Sequence, residues 1–163
     1  MGFAVSSRGS HARGFGQEVT PMQDVGAAIG LGIVLLGSLG FLPGLTTGRL
    51  EVAGSGSEAM LFGIFQVSVL HNLLHIGIGA VGMLLSWFQR GAFWFLTVGG
   101  IGYVAVGVYG LLVPDGHAAD FVPLNLADDF LHLGLGVLML VLMLTLPRRP
   151  TRHSSGRHLL GPE

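Results

Sequence analysis

The sequence predicts an all-α integral membrane protein of four transmembrane helices, arranged as two helical hairpins that repeat in parallel. Three observations carry that prediction. Half of the 163 residues are hydrophobic and 10% are charged. The charge is confined, since no Asp, Glu, Lys or Arg falls within 25–48, 59–89, 91–114 or 130–147. Each interval holds an apolar stretch near the roughly 20 residues a helix needs to cross hydrocarbon. The second observation is glycine, 28 residues without a G-X-Y period. Collagen is thereby excluded, and in a bilayer small residues let helix backbones approach closely. The third is an internal echo between the second and fourth apolar stretches, described below.

In chain order, residues 1–20 are rich in Gly, Ser and Arg and read as a disordered tail. The first apolar run is too long for a signal-peptide core and lacks a small-x-small cleavage site, so a membrane helix is expected instead. That helix is expected over 25–42, with Asp24 as its N-cap and Pro43-Gly44 as its stop. A polar loop follows and ends in LFGIFQVS, expected to lie along the membrane interface. Ser68 then caps a second helix over 69–88. Gln89-Arg90-Gly91 reads as a tight turn, with Trp87 and Trp94 flanking it as interfacial aromatics. A third helix is expected over 93–113, ended by Pro114-Asp115-Gly116, and a fourth over 126–146, stopped by Pro147. Residues 147–163 form a second disordered tail after the transmembrane domain, 21–146.

Arginine placement gives the orientation. Arg8, Arg13, Arg90, Arg148, Arg149, Arg152 and Arg157 lie in the tails and the central turn, and the other two loops hold Arg49 against Glu51, Glu58, Asp115 and Asp120. Positive residues remain inside, which puts both termini in the cytoplasm and the histidine-bearing ends on the outer side. The expected location is a bacterial cell membrane.

FQVSVLHNLLHIGIG and FVPLNLADDFLHLGLG align at an offset of 57 residues. His75 then matches His132, His71 matches Asp128, Asn72 matches Asp129 and Ser68 matches Asn125. Gly32, Gly37 and Gly40 are spaced like Gly102, Gly107 and Gly110, so the first and third helices echo each other as well. Two hairpins of two spans each would share one orientation, related by an axis along the membrane normal.

Residues four apart share a helix face. His71 and His75 therefore head one stripe, and Asp128 and His132 head the other. With Asn72 and Asp129 beside them, six polar residues would gather near the outer face. The leading reading is a structural clasp, because polar groups cross-link helices in a membrane. The alternative is a ligand site: a divalent metal on His71, His75, Asp128 and His132, or haem b between His75 and His132, with the neighbouring glycines making room. A proton or ion conduit is a further alternative, running inward along Ser86 and Ser38. Catalysis is not expected, as no nucleophile and base stand together. Partners are the lipid bilayer and, through the glycine faces, another membrane protein or a second copy. Nothing resembles a nucleic-acid module, and the absence of cysteine excludes thiolate ligands.

The blocks GFLPGLTT (40–47), LFGIFQVSVLHNLLHIGIGAVG (61–82), YGLLVPDG (109–116) and PLNLADDFLHLGLGV (123–137) resemble those of bacterial, mainly actinobacterial, membrane proteins grouped as domain of unknown function 4383. The resemblance spans about 22–146 and implies four spans, with His71, Asn72, His75, Asp128 and His132 at the family's polar positions. It implies no activity. Two positions depart from the pattern: Val69 stands where the family usually has Pro, and Asp129 where it often has Asn.

Overall fold

The computed structural model describes residues 19–54, 57–113 and 124–147. Both expected tails (apart from residues 19–20 and 147), His117, and every arginine except Arg49 and Arg90 lie outside the described residues. Four helices, α1 (Pro21–Leu39), α2 (Val69–Leu85), α3 (Gln89–Leu112) and α4 (Leu126–Thr145), make up most of the described chain. Between α1 and α2 lies a small antiparallel sheet of β1 (Thr46–Thr47), β2 (Met60–Leu61) and β3 (Phe65–Gln66), in the order β1-β2-β3.

α1, α3 and α4, at 19, 24 and 20 residues, are long and apolar enough to cross a membrane, and α2 is an apolar helix of 17. Their outward faces are as greasy as their sequences: Leu144 is 75% exposed, Leu112 74% and Val98 62%. The polar side chains Asn72, Ser86, Asp128, Asp129 and His132 are buried. Apolar outside and polar inside suits hydrocarbon, where no water satisfies polar groups. The protein is a multi-pass membrane protein.

Helix ends follow local chemistry. α1 starts four residues earlier than expected, because Thr20 rather than Asp24 is its N-cap. Thr20 and Gln23 form a reciprocal capping box, and Pro21 sits in the first turn, where its missing N–H costs nothing. α1 ends at Leu39, short of Leu42, where Thr46 Oγ1 donates to Gly40 O at 3.1 Å. α2 starts as expected, its N-cap Ser68 accepting from His71 N at 3.1 Å. α2 stops at Leu85, before the expected Phe88, and Gln89-Arg90-Gly91 forms the first turn of α3. The reversal is thus confined to Ser86–Phe88, and Gly91 lies so close to Leu85 O that a side chain there would collide. LFGIFQVS also departs from expectation. Its ends pair as β2 and β3, with Leu61 opposite Phe65, around a turn with Phe62 and Gly63 at positive φ.

Helices pack in antiparallel pairs, α1 with α2 and α3 with α4. Along α1, Gly26, Gly30 and Gly37 meet Ser86, then Gly79 and Met83, then Asn72 and Ile76. Along α3, Gly100 and Gly107 meet Gly136 and Leu140, then Asp129 and Leu133. A Cβ at Gly136 would lie 2.6 Å from Val104 N, and one at Gly79 would lie 2.7 Å from Val34 N. Only bare backbones come this close. A core of Met22, Ile33, Phe95, Leu96, Tyr103 and Met139 joins the pairs. At the α2–α3 turn, Gln23 Nε2 donates to Trp87 O at 2.9 Å, and Thr20 Oγ1 bonds Gln89 Oε1.

These glycines give a controlled experiment. Alanine at Gly79 or Gly136 is expected to destabilise the fold by about 1–3 kcal/mol through overpacking against backbone. Alanine at Gly77 or Gly134, where an added Cβ meets nothing within 4 Å, is expected to leave stability unchanged or slightly raised. Thermal unfolding of the four variants in one detergent separates the pairs.

Candidate functional site

The opposite end of the bundle holds the sheet and the starts of α2 and α4. There the first turn of each helix is fixed by hydrogen bonds to loop backbone. Val69 N and Leu70 N donate to Glu51 O and Val52 O at 3.0 and 2.9 Å, satisfying helix-start groups that lack partners within the helix. At α4, Asn125 Oδ1 accepts from Asp128 N at 3.0 Å while Asp128 Oδ2 accepts from Asn125 N at 3.1 Å. The same Oδ2 accepts from Gln66 N of β3 at 2.9 Å, and Asn125 Nδ2 donates to Ile64 O at 2.7 Å. Asp128 thus caps α4 and fastens the sheet to it.

One turn inside these caps, the histidines converge. His71 and His75 stack with centroids 4.5 Å apart. His132 comes from the other helix pair, 5.9 Å from His71 and 5.8 Å from His75. One ligand atom from each of the three lies within 4.8 Å of the others. His75 Nδ1 lies 3.1 Å from His71 O and His132 Nδ1 lies 2.7 Å from Asp128 O. A carbonyl oxygen only accepts, so Nδ1 carries the proton on both rings and Nε2 presents its lone pair. That tautomer suits metal ligation.

The six expected polar residues therefore divide. His71, His75 and His132 gather between the helix pairs. Asp128 is beside them, lining with them a cavity of about 30 Å3 that also touches Asn72, Leu36 and Phe65. Such a space accommodates a water molecule or a single ion. Asn72, though on the edge of that cavity, and Asp129 each make their closest contact within their own helix pair. The Asn72 amide lies against Gly40 of α1 and the Asp129 carboxylate against Gly110 of α3, so each fills the glycine gap inside its own pair. Asn72 Nδ2 has no hydrogen-bond partner among the described residues.

The four glycines expected to make room near the histidines divide into two closed and two open positions. Gly79 is filled by Gly30 and Val34, and Gly136 by Gly100 and Val104, while Gly77 and Gly134 face open space. The Tyr103 ring flanks both His75 and His132, its centroid 5.5 Å from His132 and 6.2 Å from His75, while His71 stacks on His75. Tyr103 joins the histidines from α3. Its ring stacks on His132 at 20°, and its buried hydroxyl has no hydrogen-bond partner among the described residues. Gln66 and the sheet were missed in the sequence, since two-residue strands leave no periodicity to detect.

No curated protein and no solved structure matches this chain. Residues 23–145 match the model of a domain of unknown function, DUF4383, and over that span, most of its length, the chain belongs to this family.

Proposed function

We propose that this protein holds a divalent transition metal between two helical hairpins of a four-span bundle, through His71, His75 and His132. One observation carries the reading: three ligand atoms lie within 4.8 Å of one another, two of them on rings whose Nδ1 protons are already held by carbonyls. Imidazole ligands suit zinc, copper, iron or nickel. Asp128, on the wall of the same cavity, brings a carboxyl group beside the ion, with its Oδ2 retained by Gln66 and Asn125. Since His71 and His75 belong to α2 and His132 to α4, the ion ties one hairpin to the other. The clasp reading holds best at other residues, Asn72 and Asp129, within each hairpin. A conduit is disfavoured, because Ser86 Oγ and Ser38 Oγ donate to Gly82 O and Val34 O at 2.7 and 2.8 Å, within their own helices. The role is architectural or accessory rather than catalytic. Glycines 26, 30, 37, 40, 100, 107 and 110 already contact neighbouring helices, which leaves them little to offer a partner.

The two-hairpin repeat supports this reading. Gly30 meets Gly79 as Gly100 meets Gly136, and Gly37 meets Asn72 and Ile76 as Gly107 meets Asp129 and Leu133. These pairs are related by the same sequence offsets throughout, and we infer two copies of one hairpin, parallel in the membrane. α2 is then the fourth span, since it lies along α1 from Ser86 to Asn72. With the arginine bias, both termini are cytoplasmic and the metal site lies near the outer face of a bacterial cell membrane.

Purified protein, handled without chelator, is expected to carry one metal ion per chain by elemental analysis. His75→Ala and His132→Ala are each expected to lose it. A hundredfold excess of the preferred ion over its Kd should stabilise wild type by about 2.7 kcal/mol, an increment absent from both variants. Absence of metal in wild type, with no thermal shift from zinc, cobalt or copper, overturns the site, and a Soret band replaces it with haem. Asn72→Ala provides the contrast: by emptying the packed gap over Gly40 it should lower stability by about 1–3 kcal/mol, yet retain the metal.

A further inference from the structure

The three histidines border two spaces, the cavity of about 30 Å3 beside Asp128 and an apolar groove of about 1060 Å3 between α2 and α3. The smaller one bears on how a bound ion completes its coordination. Zinc takes four ligands in closed structural sites, while an open site has three protein ligands and leaves the fourth position to water or another small molecule. Here three imidazoles offer ligand atoms within 4.8 Å of one another, and Asp128 is not a member of that group. Its Oδ2 already accepts from two backbone N–H groups, Gln66 at 2.9 Å and Asn125 at 3.1 Å. The chain has no cysteine, and no further His, Asp or Glu lines the cavity among the described residues. The protein is therefore one donor short of a closed tetrahedral site.

Space and charge decide what fits there. One water needs about 10–15 Å3, so beside an ion a cavity of about 30 Å3 has room for a ligand of very few atoms. Apart from the histidines, Asp128 and Asn72, its wall is apolar, formed by Leu36, Leu61, Phe65, Val67 and Leu131. A charge buried in such surroundings is costly unless it is paired. A divalent ion on three neutral imidazoles carries two positive charges. With Asp128 ionised one of them stays unpaired, and with Asp128 protonated both do. No other acidic side chain lines the cavity among the described residues. A small monovalent anion supplies both the missing donor and the missing charge, whereas water supplies only the donor.

We propose that the ion held by His71, His75 and His132 keeps its fourth position for a small monovalent anion, bound in the cavity beside Asp128. This rests on the metal reading, and adds to it the class of ligand and the side of the cluster on which that ligand sits.

Cobalt(II) reports its fourth ligand directly, because its visible absorption depends on the donor set and geometry. Chelator-stripped protein loaded with cobalt in detergent and titrated with sodium azide is expected to shift that absorption saturably, at one azide per cobalt. Sodium benzoate, whose ring is too large for the cavity, should leave the absorption unmoved at the same concentrations. Val67→Leu adds a methylene to the cavity wall; it should keep its cobalt and raise the half-saturating azide concentration about tenfold by crowding the anion. Gly102→Phe instead places a ring in the α2–α3 groove, where an added Cβ meets nothing within 4 Å, and should bind azide as wild type does. A cobalt spectrum that ignores azide, or that responds equally to benzoate, overturns the proposal. So does a response lost in Gly102→Phe but kept in Val67→Leu, which would put the open position on the groove side. A response absent from wild type and gained in Asp128→Asn overturns it as well, since Asp128 itself would then be the fourth ligand. Metal content separates the two readings: one cobalt per chain without an azide response removes only the anion, and a chain that takes up no cobalt removes the metal and the anion together.

Discussion

Backbone contact at glycine sets the geometry on which everything else in this bundle depends. Gly30 lies against Gly79 in one helix pair and Gly100 against Gly136 in the other. In hydrocarbon, helices gain little from hiding apolar surface, because lipid tails are as apolar as leucine. Close packing and internal hydrogen bonds have to supply the cohesion. Glycine serves both needs by removing the side chains that would hold the axes apart. With each pair drawn together, the histidines of α2 and α4 meet, His132 lying 5.9 Å from His71 and 5.8 Å from His75.

The close approach creates a second requirement, because polar groups carried into the bundle have to be paired. The starts of α2 and α4 meet it with Ser68 and Asn125 as caps and with loop carbonyls from Glu51, Val52 and Ile64. Asp128 is the joint among these elements. Its carboxylate accepts from both Asn125 N and Gln66 N, so the first turn of α4 and the sheet preceding α2 are held by one side chain. Its backbone carbonyl also receives His132 Nδ1. The tautomer of a cluster histidine and the docking of the sheet are thereby set at a single residue.

The helices and the polar cluster were readable in the sequence because each rests on local regularity. Charge-free intervals gave the spans, and the spacing of His71 and His75 and of Asp128 and His132 placed them on common faces. Boundaries were less accurate where two chemistries competed. Asp24 and Thr20 both have side chains suited to an N-cap, and the choice fell to Thr20 because Gln23 completes its box and Gln89 bonds it from α3. Gln89-Arg90-Gly91 looked like a turn, yet Gly91 serves close packing against Leu85 within α3. The sheet had no sequence signature at two residues per strand. The division of the six polar residues was also hidden, since adjacent positions such as His71 and Asn72 point to different neighbours only once the crossing of α1 and α2 is known.

If the hairpins are copies, as we infer, their differences indicate where the site was specialised. The glycine contacts and the His75 and His132 hydrogen bonds recur in both halves, as an architectural core would. Three features break the correspondence, and all of them border the cluster. The position of Ile33, buried in the core, is taken in the other half by Tyr103, which stacks on His132. Histidine 71 stands opposite Asp128, so the pair that a symmetric bundle would repeat becomes one imidazole and one carboxylate. The sheet packs Leu61, Phe65 and Val67 over the α1–α4 side of the cluster, where the cavity is about 30 Å3, while the α2–α3 side opens into a groove of about 1060 Å3. Under that inference the glycine contacts carry the architecture shared by the two halves, and the residues around the histidines carry what differs between them.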